Sequence, residues 1–157
     1  MNKSVVVVGV VLAIAILALV VSKPREGITS VVSGEPVLLN INAQDVQDLA
    51  GVQTDVIYNA AVVRFDSISE GTFLDAGVSS DAMLLDTTDA SQRGVISGIV
   101  VLRLKPTGVS GSGTVASVHF TRIAEGEPGI QLENVLLSNS DVQPLPTNSI
   151  TGAVTAG

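Results

Sequence analysis

The side chains that could do chemistry in this chain are few, and their surroundings decide most cases. His119 is the single histidine. A serine–histidine–aspartate triad needs its imidazole at a concave site, aimed by an oriented carboxylate at a nucleophilic serine. His119 instead sits between Ser117 and Thr121, on the face opposite Ala116, Val118 and Phe120. That spacing makes it a surface residue of a strand, and no serine lies in a nucleophile-elbow context. Two carboxylate pairs, Asp45 with Asp48 and Asp86 with Asp89, are three residues apart. A calcium loop of the EF-hand kind alternates its oxygen ligands and ends on a glutamate. Neither pair is set in that pattern, so both read as loop or capping residues and no metal is assigned.

Gly111-Ser112-Gly113-Thr114-Val115-Ala116 matches the dinucleotide fingerprint G-x-G-x-x-A. The fingerprint works only when a helix follows, because the helix N-terminus holds the pyrophosphate. Here the continuation, TVASVHFTRI, has a period of two and reads as a strand. No cofactor is expected. Cysteine is absent, which removes disulfides, thiolate metal sites, a lipoprotein anchor and cysteine catalysis. Sugar binding through stacked rings would need exposed aromatic platforms. The aromatics are Tyr58, Phe65, Phe73 and Phe120. Alternation turns Tyr58 and Phe120 inward, Phe65 joins them, and Phe73 alone makes no platform. The chain reads as non-enzymatic.

The elements that carry these residues are strands. Val, Ile, Leu and Ala must supply the core, with Gly, Ser, Thr and Asn as punctuation, a bias that favours sheet. Ile28–Val32 reads as a first strand and 33–36 as a turn. Val37–Ala43 alternates, with Val37, Leu39, Ile41 and Ala43 inward and Asn40 and Asn42 outward. Gln44–Leu49 reads as a loop or one helical turn. Gly51–Tyr58 puts Val52, Thr54, Val56 and Tyr58 on one face and Gln53, Asp55 and Ile57 on the other. Val62–Ile68 follows, then a poorly patterned stretch over 70–93 with one short strand near Met83–Leu85. Gly94–Leu104 is expected to turn Val100, Leu102 and Leu104 inward and Arg103 and Lys105 outward. Pro106–Gly113 reads as a long Gly- and Ser-rich turn. Strands over 114–123, 130–137 and 150–155 complete about nine, the signature of a sandwich or barrel.

Ser4–Val21 is an uncharged run of 18 residues, near the lower limit for a helix crossing a bilayer. Residues 1–27 are therefore expected to be a signal anchor or signal peptide with a short linker. An uncleaved anchor is preferred because the small-residue cleavage site is poor. Either reading exports residues 28–157 as one domain, at the outer face of the membrane or secreted. From Ile28 onward, 14 acidic residues stand against 5 basic ones, a net charge of −9. A nucleic-acid binder needs a basic stripe to meet phosphates, and none is present.

The order of these segments resembles the cohesin family, the receptor modules that hold dockerin-bearing proteins in cellulosome-type assemblies. The resemblance spans about 28–156 and is carried by several stretches. Gly34-Glu35-Pro36 resembles the opening turn. Leu49-Ala50-Gly51-Val52-Gln53 through Tyr58, followed by Val62-Val63-Arg64-Phe65, is similar to the family's central pair of strands. Gly111–Ala116 with Val118 and Phe120 resembles its Gly-rich turn and strand, and Asn148–Thr155 its closing strand. Asn59-Ala60 stands where the family has Asp-Pro, and Val52 where it has an aromatic residue. The resemblance implies an all-β, nine-stranded jelly-roll sandwich behind an N-terminal apolar helix. It also implies a dockerin-type module on another chain as partner, with Gln53 and Asp55 facing it. Whether polysaccharide is touched directly stays open. The competing reading is a structural cell-surface subunit, pilin-like or surface-layer, or an adhesin.

Overall fold

The computed structural model describes residues 34–77, 82–85 and 94–157. Among them are seven strands and one short 3-10 turn, Thr147–Ser149. The strands are β1 (Pro36–Ile57), β2 (Val63–Glu70), β3 (Ala82–Leu85), β4 (Val95–Arg103), β5 (Val109–Arg122), β6 (Gln131–Asn139) and β7 (Ile150–Ala156). The expected strand at 28–32, the apolar run 4–21 and the Asp86–Asp89 pair lie outside the described residues.

β1 organises the molecule because it belongs to two layers. Its first half, Pro36 to Ala43, pairs with β5 on one side and β7 on the other. Its second half, from Gly51 to Ile57, pairs with β4 and β6. β2 then adds to β5, and β3 to β4. All pairings are antiparallel, and the two layers close as a sandwich on a core of aliphatic side chains. Val37, Leu39, Ile41 and Ala43 face that core from the first layer. Val52, Thr54, Val56 and Tyr58 face it from the second, as alternation requires. Phe120 of β5 is the largest fully buried side chain, with its ring centroid 5.1 Å from that of Tyr58 and 6.1 Å from that of Phe65. Each such fully buried large side chain stabilises the fold by about 1.5–3 kcal/mol.

The segment Gln44–Leu49, expected as a loop or helical turn, continues the strand. Its sequence, Ala43-Gln44-Asp45-Val46-Gln47-Asp48-Leu49, advances three residues for every two on β5. Ala43, Val46 and Leu49 lie opposite Gly113, Gly111 and Val109. The extra residues are absorbed where Asp45 (φ 49°) and Asp48 (φ 53°) adopt the left-handed conformation, which aspartate tolerates better than most residues. Each displaced Asp N–H donates to a serine hydroxyl, Asp45 to Ser112 Oγ at 2.9 Å and Asp48 to Ser110 Oγ at 3.0 Å. Bulges raise the local right-handed twist, so two in succession carry β1 from one layer into the other. The same pairing extends β5 back to Val109, so most of the expected Pro106–Gly113 turn is strand.

A second correction concerns β4. Ile96, Ile99 and Val101 point inward, whereas Leu102 and Leu104 are exposed and Val100 is half-buried. Ile96 alone would have set an even-numbered inward face, the parity the sequence reading chose. The register slips between Thr54 and Val56, opposite Ser97 and Gly98, and Gly98 takes φ 71°. That inserted residue exchanges the two faces of the strand beyond it. Arg103, expected outward, is half-buried, donating to the Leu74 and Thr107 carbonyl oxygens at 2.6 Å each.

Candidate interaction face

The β4 slip turns Leu102 to the outer face of the β6–β1–β4–β3 layer, where Met83 of β3 and Leu136 of β6 also lie. The register places Gly51 between Leu102 and Ser138, and Gln53 between Val100 and Leu136. Met83 of β3 lies opposite Leu102. Met83, Leu102 and Leu136 are 37%, 36% and 59% exposed. Gly51, Gln53, Val100, Leu102, Leu136 and Ser138 line a shallow depression. The glycine at its floor is set by space. A Cβ there would lie 2.6 Å from Ser138 Oγ and 3.2 Å from Leu102 Cδ2. Gln53 is exposed, so its amide is the polar group at the centre of an apolar strip.

Asp55 faces the same side but its carboxylate is engaged. Oδ1 accepts the Gly98 N–H at 2.7 Å, and Oδ2 accepts Asn134 Nδ2 at 2.6 Å. Gly98 sits in the β4 bulge, and Asn134 (φ 51°) in the matching irregularity of β6, where the register slips between Gln53 and Asp55. One side chain thus braces both neighbours of β1. Thr54, buried on the other face, donates its hydroxyl to the Glu133 carbonyl at 3.0 Å.

Asp48 fastens the edge of this layer. Its carboxylate accepts from Ser140 Oγ at 2.6 Å and from the Gly108 N–H at 2.8 Å. The Ser140 hydroxyl first, then the Gly108 N–H, hold its pKa below the ordinary 3.8 against a smaller opposing effect of burial. Asp45 and Asp48 are therefore bulge residues within a strand.

The outer face of the other layer is different. Ser117 donates to Asn40 Oδ1 at 2.7 Å, Thr114 to Asn42 Oδ1 at 2.9 Å, and Thr121 to Asp66. Arg64 pairs with Asp66 at 3.0 Å. His119 Nε2 lies 3.1 Å from Ser69 Oγ, and both residues are exposed. The pair joins β2 to β5. Its geometry is that of one more cross-strand hydrogen bond. Phe73, left uncommitted by alternation, packs half-buried against the core and over Gly113.

Alternation puts Gln53 on the outer face, where the structure has it, but turns Leu102 inward and assigns no face to Met83 or Leu136. The signal it passed over was Gly98 inside an apolar run, since a glycine within a strand often marks a bulge.

No family model matches the chain, and no curated protein is significantly similar to it. Solved structures are similar. A type II cohesin, A11, from Bacteroides cellulosolvens superposes with a TM-score of 0.63 at 21% identity, covering 75% of this chain and 86% of that one. A type II cohesin domain from the cellulosome of Acetivibrio cellulolyticus gives 0.64 at 18%, covering 78% and 86%. A third, from an Acetivibrio cellulolyticus cohesin–X–dockerin complex, gives 0.61 at 12%, covering 73% and 83%. The described domain has the cohesin fold.

Proposed function

We propose that this domain is a docking module that binds a dockerin-type module on another chain through the outer face of the β6–β1–β4–β3 layer. The observation that carries the reading is the apolar strip there. Fold alone does not fix function, so the argument must rest on that surface. Scattered exposed apolar residues are normal, but Leu102 and Leu136 line one depression and Met83 is paired with Leu102 beside it. Gln53 supplies a hydrogen-bonding group at the centre, and Asp55 keeps the strands beneath it in place. Export and anchoring through residues 4–21 complete the proposal, holding the module at the outer face of the membrane. Cohesins seen in complex with dockerins support the partner class. Calorimetric titration of the exported domain against dockerin modules encoded in the same genome tests it. Saturable one-to-one binding by at least one supports the reading. Absence of binding by every one, to a domain whose spectra show folded sheet, overturns it.

A further inference from the structure

The turn that follows β6 contains a residue in an unfavourable conformation. Val142 has φ 60° and is 81% exposed. The left-handed region suits glycine, asparagine and aspartate, and for a β-branched residue it is an outlier that surrounding structure must impose. The imposition is visible. Asn139 Oδ1 accepts the N–H groups of Asp141 and Gln143 at 3.1 and 2.7 Å. The Val142 N–H donates to the Asn139 carbonyl at 3.0 Å, and the Asn139 N–H to the Gln143 carbonyl at 2.9 Å. Ser140 is tied to Asp48 through both its N–H and its hydroxyl. A rigid turn thus holds an isopropyl group out in water, where it contributes nothing to the fold.

The turn begins one residue after Ser138, which lines the depression at Gly51, and Pro144 bridges back to Ser138. We infer that Val142 is a second apolar anchor for the partner, so that the contact runs from the Gly51 depression across the end of β6 onto this turn. The inference rests on the docking proposal above and extends its surface beyond the sheet. Charge narrows the partner further. Arg103 is the only basic residue in β3, β4, β6 and the second half of β1, and its guanidinium is turned to backbone carbonyls. Glu133 and Asp141 are exposed acids beside the strip. The occupant that fits is a segment of the dockerin-type module presenting two apolar side chains, one for the depression and one for Val142, flanked by a lysine or arginine.

The test is a titration of parent, Val142→Asn and Val142→Leu proteins with the dockerin module that binds the parent, paired with thermal melts. Asparagine is at ease in the left-handed region, so Val142→Asn should melt at or above the parent temperature yet bind about tenfold more weakly. Val142→Leu keeps an apolar group and should bind within about threefold of the parent. Val142→Asn binding within about twofold of the parent overturns the inference and leaves the docking proposal standing. Failure of the parent to bind any dockerin overturns both.

Discussion

The two outer faces of the sandwich are built from the same central strand and come out chemically opposite. On the β7–β1–β5–β2 face, Asn40, Asn42, Thr114, Ser117, Thr121 and Asp66 satisfy one another across the strands. Such a face gains nothing from being covered, because a partner would have to replace bonds already made. On the β6–β1–β4–β3 face, Asp55 braces the centre and Asp48 the edge, while Met83, Leu102 and Leu136 are exposed to water. Covering it removes apolar surface at little polar cost. The contrast shows that one inserted residue can put an apolar side chain on a sheet's outer face, since the Ser97–Gly98 slip is what turns Leu102 outward.

Substitutions on the two faces should therefore separate cleanly. Leu102→Asp places a charge in the middle of the strip, and dockerin affinity should fall about a hundredfold or more, as for a buried hot-spot residue. The thermal midpoint should change little, because Leu102 is already exposed. Equal loss of binding and of stability would break the contrast.

Asp55→Ala probes what keeps the apolar face in register. Two hydrogen bonds to a carboxylate disappear and the Gly98 N–H is left without its acceptor, at a cost of about 2–3 kcal/mol. Amide exchange should quicken in β4 and β6 while β7 and the start of β1 hold. Uniform acceleration throughout would show that Asp55 braces no particular layer.

On the polar face, Ser117→Ala removes the bond to Asn40, with an expected loss of about 1 kcal/mol in stability and none in affinity. A measurable change in dockerin binding would mean that both faces take part.

The smallest effect concerns acid. The folded-state pKa of Asp48 lies below its unfolded value, so the stability it contributes is fully present above the ordinary 3.8 and is lost as pH falls through that value toward the folded one. Denaturant melts should show this slope reduced in Asp48→Asn, since asparagine retains tolerance for the left-handed backbone but does not titrate. An unchanged slope would remove Asp48 from the account.

Much of this fold is legible in the sequence where strands are regular. Val37 to Ala43, Val52 to Tyr58 and Ala116 to Phe120 take the faces that alternation assigns. It fails at bulges, which shift parity without changing composition. Asp45 and Asp48 look like loop residues because aspartate is rare within strands, yet here left-handed aspartates and the Ser110 and Ser112 hydroxyls substitute for the regular ladder. The same blindness hid the candidate site: Gln53 is placed correctly by alternation on β1, but its apolar neighbours on β4 lie beyond a slip. Leu136 and Leu137 are adjacent leucines of which only register shows which is exposed.

Amide and methyl footprinting of the domain saturated with the dockerin-type module proposed as its partner tests the central claim most directly. Protection should concentrate at Gly51, Gln53, Val100, Leu102 and Leu136. Protection centred instead on Asn40, Ser117 and His119, with the leucines unaltered, would contradict it.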